Sequence, residues 1–306
     1  METENVAGSL ILNSRSYGIT FNMQISISLL AENIIVMIKS VLIWIFTLLF
    51  TIGIAIYQRT TGPTYPVDGT VTLADKEVEY ELLRSHGGKT DAPIRISIPD
   101  KDIQGKVTYK RFNTDDKRTA LEMKRSDGEL YATLPHQPPA GKLVYDVYLT
   151  YQDKEVKLTA ESVVIRFKGA VPDYILIPHI IFMFTAMLFS TRAGIEAILR
   201  RKRVLAYTTV TLITLFSGGL ILGPIVQKYA FGDFWTGWPF GQDLTDNKTL
   251  VSFLFWLVAF FKIRKNKNYR TWVIIAAIVL LAIYLIPHSM FGSELNYESG
   301  QVETGK

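Results

Sequence analysis

Apolar stretches free of Asp, Glu, Lys and Arg alternate with polar segments along this chain, and their lengths predict membrane-spanning helices. A helix needs about 20 apolar residues to cross the hydrocarbon core of a bilayer. The first stretch covers residues 41–57, and four more crowd the carboxyl-terminal part at residues 174–191, 205–225, 250–261 and 272–287. The third of these four is short, and we expect residues 246–249 and Lys262 to extend it. The pattern therefore predicts five transmembrane helices.

Basic residues between the predicted helices set their orientation. Two loops carry them: Arg192, Arg200, Arg201, Lys202 and Arg203 in the first, and Lys262, Arg264, Lys265, Lys267 and Arg270 in the second. Short loops with such an excess of Lys and Arg stay in the cytoplasm. We therefore expect a cytoplasmic amino terminus, with residues 58–172, the loop 227–249 and the tail from residue 288 outside.

The amino-terminal segment is expected to end in an uncleaved anchor. Residues 37–57 follow the pattern of a signal anchor, and no small-residue cleavage site comes after them. Residues 1–36 have weak patterning and are predicted to be a disordered or spurious extension. Met23 and Met37 are both candidate starts of the chain.

The polar segment 58–172 shows the alternation of a β-domain. Between residues 65 and 168, seven or eight short runs alternate apolar with polar positions, as in an antiparallel β-sandwich. Asp127-Gly128 and Gln152-Asp153 predict hairpin turns. The fold class is therefore an α+β membrane protein, in which an extracytoplasmic sandwich lies between the anchor and a four-helix transmembrane bundle at residues 173–289. An outer tail, residues 290–306, follows.

One stretch of the β-domain resembles a known domain class. Residues 134–147, with the turn Pro-Pro-Ala-Gly before Tyr145, resemble the entry to a late strand in fibronectin type III and other immunoglobulin-like domains. The resemblance implies that the Tyr145 hydroxyl hydrogen-bonds back across the turn. The alternative is an ordinary inward-facing tyrosine on a strand.

Composition narrows the function classes. The net charge of +5 is no sign of nucleic-acid binding, because many basic residues lie in the two short loops that topology explains. The chain has no cysteine, which excludes disulfides and thiolate metal sites. It also lacks a phosphate-binding loop, a Gly-x-Ser-x-Gly elbow and a His-Glu-x-x-His motif, so we expect neither an ATPase nor a familiar hydrolase. The centres of the four carboxyl-terminal stretches carry no charge, which argues against ion-coupled transport.

The tetrapeptide Leu-Ile-Pro-His occurs twice and suggests a cofactor site. It places His179 at the start of the second predicted helix and His288 at the end of the fifth, both near the outer boundary. Met183 follows His179 by one helical turn, and His with Met suits haem or copper. His179, His288 and Met183 are therefore candidate ligands. Alternatively, the two histidines make a polar structural contact or have no specific role.

The outer loop 227–249 is rich in aromatic residues and is expected to lie at the outer interface of the membrane. Its end carries Asp243, Asp246 and Lys248. One interpretation is a shared outer polar site of these three with Glu294 and the two histidines. The other is capping of the following helix by Thr245 or Asp246.

Three segments of the carboxyl-terminal half resemble a known but uncharacterised group. Residues 223–232, 241–249 and 286–295 are similar to segments of an uncharacterised family of bacterial multi-pass membrane proteins. The resemblance implies the inner membrane of a bacterium as the setting and assigns no activity.

The leading hypothesis is a non-enzymatic membrane protein that presents its β-sandwich to a membrane or periplasmic protein partner, or helps to assemble an envelope complex. The alternative is a redox protein that handles haem or copper with His179 and His288. A third is a membrane enzyme in which Asp243, Asp246 and His288 act as acid and base.

Overall fold

The computed structural model describes residues 3–73, 75–265, 268–287 and 292–303, with the backbone alone for residues 3–29. The chain forms two compact units, Met1–Phe50 and Thr51–Lys306. The first unit belongs to helix α1, Thr3–Thr60, whose apolar side chains such as Leu42 and Leu49 are exposed. The disordered or spurious extension at residues 1–36 stays a prediction.

A β-domain follows α1 and contains two sheets and a separate hairpin. Its strands are β1 Val67–Leu73, β2 Lys76–Leu82, β3 Ser85–Gly87, β4 Ala92–Ser97, β5 Ile103–Arg111, β6 Thr119–Glu122, β7 Lys124–Ser126, β8 Glu129–Leu134, β9 Lys142–Tyr151, β10 Lys154–Lys157 and β11 Val163–Lys168. One sheet has the order β3-β11-β9-β5-β6 with β10 also on β9, the second is β4-β8-β7, and β1 pairs with β2. These pairs are antiparallel except for β3 with β11.

A single apolar core joins the sheets. Alternate residues of each strand point inward, so that Ile96 of β4, Val107 of β5 and Leu149 of β9 are almost fully buried in one cluster. Such alternation is what a strand with one wet face requires. Two sheets that share a core agree with the predicted sandwich.

Both predicted hairpin turns are confirmed. Asp127 and Gly128 have φ of 51° and 81° between β7 and β8, and Gln152 has φ of 51° between β9 and β10. The alternation over residues 156–167 of the sequence predicts one strand, but the structure divides this stretch between β10 and β11. Leu158 turns into the core between them, and the Thr159 hydroxyl donates to Glu161 O at 2.7 Å, closing a local turn.

The carboxyl-terminal part is mainly helical. The helices are α2 Asp173–Ile198, α3 Val204–Leu215, α4 Gly223–Phe231, α5 Leu244–Arg264 and α6 Tyr269–Leu285, with a π-helical segment Phe216–Leu222 between α3 and α4. Four stretches of the described residues are long and apolar enough to cross a membrane: Leu30–Thr60, Asp173–Ile198, Val204–Phe231 and Leu244–Arg264. Helix α6 is apolar but has 17 residues. The α+β class is therefore confirmed, and four of its helical stretches have the length and apolar composition of membrane spans.

The end of α2 differs from the prediction. Arg192 was expected in a basic loop, but it lies inside α2 with 1% exposure. Its guanidinium pairs with Glu196 at 2.7 Å and lies 5.2 Å from the ring centre of Tyr207. An ion pair between residues four positions apart in a helix offsets much of the free-energy cost of burying either charge. The helix can therefore continue past Arg192.

Small residues set the spacing of the helices. A Cβ atom added at Gly218 would lie 2.7 Å from Phe182 Cβ, and one added at Gly219 would lie 2.6 Å from Thr249 Cγ2. Gly194 of α2 faces Ala277 of α6 in the same way, at 2.9 Å. Close approach through small residues is the usual packing mode of membrane helices.

Candidate functional site

The end of β11 is fixed to the carboxyl-terminal end of α4. Gly169 N donates to Ala230 O at 3.0 Å, and the Arg166 guanidinium lies 5.4 Å from the ring centre of Phe231. A Cβ atom at Gly169 would lie 2.1 Å from Tyr229 O, so only glycine allows the two backbones to approach this closely. The β-domain therefore packs directly on the helices of its own unit.

The carboxyl-terminal tail forms a second attachment. Its short hairpin, β12 Glu294–Leu295 with β13 Val302–Glu303, lies against the β-domain, where Leu295 N donates to Ala140 O at 3.0 Å. Lys142 pairs with Glu294 at 2.5 Å, and the Tyr297 hydroxyl donates to Lys142 O at 2.9 Å. Burial lowers the pKa of Lys142 in spite of Glu294, and burial raises the pKa of Tyr297 to about 12.

The loop between α4 and α5 is held by the first turn of α5. Asp243 is the N-cap: its Oδ1 accepts from Thr245 N at 2.7 Å and from Asp246 N at 3.3 Å. Thr245 and Asp246 were predicted to cap the helix, but Asp243 does so, and they donate their backbone N–H groups to its carboxylate. Asp246 Oδ2 accepts from Thr236 N at 2.7 Å. Both carboxylates thus support the fold of the loop.

Aromatic side chains project from this loop. Phe234, Trp238 and Phe240 are 57%, 70% and 84% exposed. Exposed aromatic rings beside apolar helices are typical of the headgroup layer of a membrane. The Trp238 backbone is nevertheless fixed, because Asn247 Oδ1 accepts from Trp238 N at 2.6 Å.

A cavity of about 110 Å³ lies where β11, the helix ends next to the β-domain and the tail meet. The side chains that matter for its chemistry are Arg166, His179, Met183, Asp243, Asp246 and Ser293. The structure thus brings together four of the predicted site residues. It adds Arg166 and Ser293, which sequence reasoning missed.

Arg166 is the most unusual group in the cavity. It is 7% exposed, and its Nη1 is buried without a hydrogen-bond partner. Burial lowers the pKa of Arg166, while the nearby carboxylates of Asp243 and Glu294 act in the opposite direction. No signal in the sequence marked this position. Val163, Ile165 and Phe167 form one apolar strand face, and Arg166 lies on the other face with Lys168, as in an ordinary strand with one wet face.

His179 is held by the π-helical segment. Its Nδ1 lies 2.9 Å from Gly218 O. Since a carbonyl oxygen only accepts, Nδ1 carries the proton and Nε2 is left with its lone pair. Met183, one turn along α2, lines the same cavity, and the Tyr284 hydroxyl of α6 donates to Met183 O at 2.9 Å.

The remaining predicted residues lie apart from the cavity or outside the description. Lys248 Nζ donates to Ile286 O at 3.1 Å, and Glu294 bonds to Lys142 and Asn113. His288 lies outside the described residues. Within the part of the chain that is described, no cluster of three or more His, Asp or Glu side chains is arranged to hold a metal ion.

Comparison with known proteins assigns no family to this arrangement. The sequence matches no protein-family model and no curated protein sequence.

Proposed function

We propose that this protein holds its β-domain rigidly at the outer face of a bacterial inner membrane, where the domain binds a protein partner or helps to assemble an envelope complex. The observation that carries the proposal is the junction. Gly169 N bonds to Ala230 O, Arg166 packs on Phe231, and Lys142 pairs with Glu294. A domain fixed at several points presents its free surface in one orientation, which lowers the entropy cost of binding.

The membrane arrangement in this proposal has five helices with the amino terminus in the cytoplasm. Helix α6, although it has 17 residues, is the fifth span. The exposed aromatic loop suits the outer interface, and the basic residues around Lys202 and Lys265 suit the cytoplasmic side.

A groove on the β-domain is the proposed partner surface. It has a volume of about 530 Å³ and is lined by residues of β1, β2, β4 and β8. These lining residues are not among those that form the junction contacts described above. Asp68 and Glu81 face each other across β1 and β2. Like charges directly opposite each other destabilise a sheet, so a basic partner segment that neutralises them would be stabilised there.

The test is cross-linking in intact membranes followed by purification of the full chain. The double variant Glu79→Lys with Glu81→Lys reverses the charge of the groove, while Asp153→Lys changes an exposed carboxylate in the β9–β10 turn. We expect the first to lose a partner that the wild type and the second retain. Equal recovery of every partner in all three would overturn the proposed surface.

Copper handling is the second candidate function. His179 and Met183 line one cavity, and His179 Nε2 has a free lone pair. A cavity of about 110 Å³ is too small for haem, since pockets for larger ligands occupy about 300–1,000 Å³. Copper(I) binding that is lost in His179→Ala, measured by metal analysis of purified protein, would support this function. A metal content unchanged by that substitution would exclude it.

A further inference from the structure

The junction cavity contains a buried guanidinium with one N–H group that lacks a hydrogen-bond partner. Arg166 Nη1 makes no hydrogen bond to any described residue, and the contact with Phe231 satisfies the face of the guanidinium but not its N–H groups. A buried N–H group without a hydrogen-bond acceptor is unfavourable, and more so when it belongs to a charged side chain. A group that accepts hydrogen bonds from Arg166 would remove that cost.

The same cavity contains the carboxylate of Asp243, whose charge acts on Arg166 although the two side chains form no direct ion pair. Asp243 caps α5 through Oδ1, and its Oδ2 receives a long contact of 3.4 Å from the Ser293 hydroxyl. Asp243 is 4% exposed. Asp246 is different, because its Oδ2 is used by Thr236 N. The cavity is therefore lined by one guanidinium and one carboxylate, each with unused hydrogen-bonding capacity.

We propose that this cavity binds a small zwitterion. Its phosphate or carboxylate group pairs with Arg166, and its amine, a short linker away, pairs with Asp243 Oδ2. The planar guanidinium suits such an anion because it donates two parallel hydrogen bonds. Cavity volume favours a compact ligand, since about 110 Å³ corresponds to three or four water molecules at about 30 Å³ each.

Two sources supply this chemistry. One is the headgroup of phosphatidylethanolamine, which carries a phosphate and an amine and reaches the outer interface with the lipid. The other is a soluble zwitterion of the same kind, such as phosphoethanolamine. The lipid headgroup and the soluble zwitterion carry the same two charged groups, and the experiment below distinguishes between them.

The experiment measures binding to the full-length chain. Soluble phosphoethanolamine, inorganic phosphate and ethanolamine are titrated against detergent-purified protein, with hydrogen exchange at β11 and the first turn of α5 as the readout. In parallel, native mass spectrometry measures lipid retention from nanodiscs containing phosphatidylethanolamine or phosphatidylglycerol. A soluble ligand protects both segments in detergent, whereas a lipid ligand is retained from the first nanodisc in preference to the second.

Matched variants assign the two ends of the ligand. Arg166→Gln should weaken binding by about tenfold or more, because a charge-assisted bidentate contact is lost. Arg166→Lys keeps the charge, and its affinity should lie between those of the wild type and Arg166→Gln. This variant keeps the test valid if Arg166→Gln folds poorly. Asp243→Asn keeps a good helix cap and should reduce phosphoethanolamine binding to the level of inorganic phosphate. Lys154→Gln, at an exposed position of β10 outside both the cavity and the groove, should leave binding unchanged.

Three results would overturn the proposal. One is that neither soluble phosphoethanolamine nor its lipid binds to the wild type, which would leave the cavity to water alone. Another is that Arg166→Gln binds as well as the wild type. The third is that inorganic phosphate binds as tightly as phosphoethanolamine and Asp243→Asn changes nothing, which would exclude the amine.

Discussion

The β-domain and the helices bury their side chains by different rules. In the β-domain the large apolar side chains pack into one core. Among the described residues of this domain, Tyr131 is the one large apolar side chain that is exposed. The helices instead expose many, such as Ile181 and Leu254, while burying Ser252 and Thr208. The first pattern follows from burial away from water. The second is expected where lipid covers the apolar surface and helices pack through small and polar residues.

The largest expected difference between the two regions is in large-to-small substitutions. Leu149→Ala should cost about 2–5 kcal/mol in the free energy of unfolding, because it leaves a cavity in the β-domain core. Leu254→Ala removes the same atoms from an exposed position of α5 and should have little effect. Region-resolved hydrogen exchange of the full chain measures both. Equal losses would show that α5 faces protein and not lipid.

The junction provides the next effect. Gly169→Ala should cost about 1–3 kcal/mol, because its Cβ atom would lie 2.1 Å from the backbone oxygen of Tyr229 and the two segments must separate. Gly87→Ala is the matched control, since a Cβ atom there meets nothing within 4 Å. We expect faster exchange at β11 and α4 in the first variant alone. Unchanged exchange would mean that the domain is loosely tethered.

A buried hydrogen bond of the β-domain gives a smaller effect. The Tyr145 hydroxyl, which is fully buried, donates to Leu83 O at 2.8 Å. Tyr145→Phe should destabilise the β-domain by about 1–2 kcal/mol, because the carbonyl loses its partner. Burial also raises the pKa of Tyr145. Chemical unfolding followed by hydrogen exchange at β9 measures the loss, and an unaltered β9 would show that water replaces the hydroxyl.

The smallest effect comes from an exposed ion pair of the same domain. Arg111 holds the pKa of Asp116 at about 2, below its ordinary value of 3.8. Because the folded-state pKa is the lower one, the stabilisation is present above pH 3.8 and is lost as the pH falls towards 2. Asp116→Asn should therefore lower the unfolding temperature slightly at neutral pH and not at pH 2. A difference that persists at pH 2 would point to another cause.

Local patterns of the sequence predicted much of the fold. The hairpins at Asp127-Gly128 and Gln152-Asp153 follow from turn chemistry, and the apolar runs became helices. The short strands β3 and β7 were missed, because three residues that pair at a sheet edge have too little pattern to detect. The helical position of Arg192 was missed because its burial depends on packing against Tyr207 of α3, although its ion pair with Glu196 is local.

The site was predictable only in part. His179, Met183, Asp243 and Asp246 were selected from their predicted positions near the outer boundary of the membrane, and they line one cavity. Arg166 could not be placed there from sequence, because it lies in a strand distant along the chain from α5. Its contact with Phe231 depends on how β11 packs on α4. The partner of Tyr145 was equally non-local: Leu83 lies 62 residues away and not across the preceding turn.

The central claim is that the β-domain lies on the opposite side of the membrane from the two basic loops, and cysteine labelling tests it most directly. The chain has no cysteine, so Asp153→Cys, Lys202→Cys and Lys265→Cys can each be examined with no background. A membrane-impermeant maleimide should label the first in intact cells and the other two only after permeabilisation. Labelling of Lys202→Cys or Lys265→Cys in intact cells, with Asp153→Cys protected, would contradict the account.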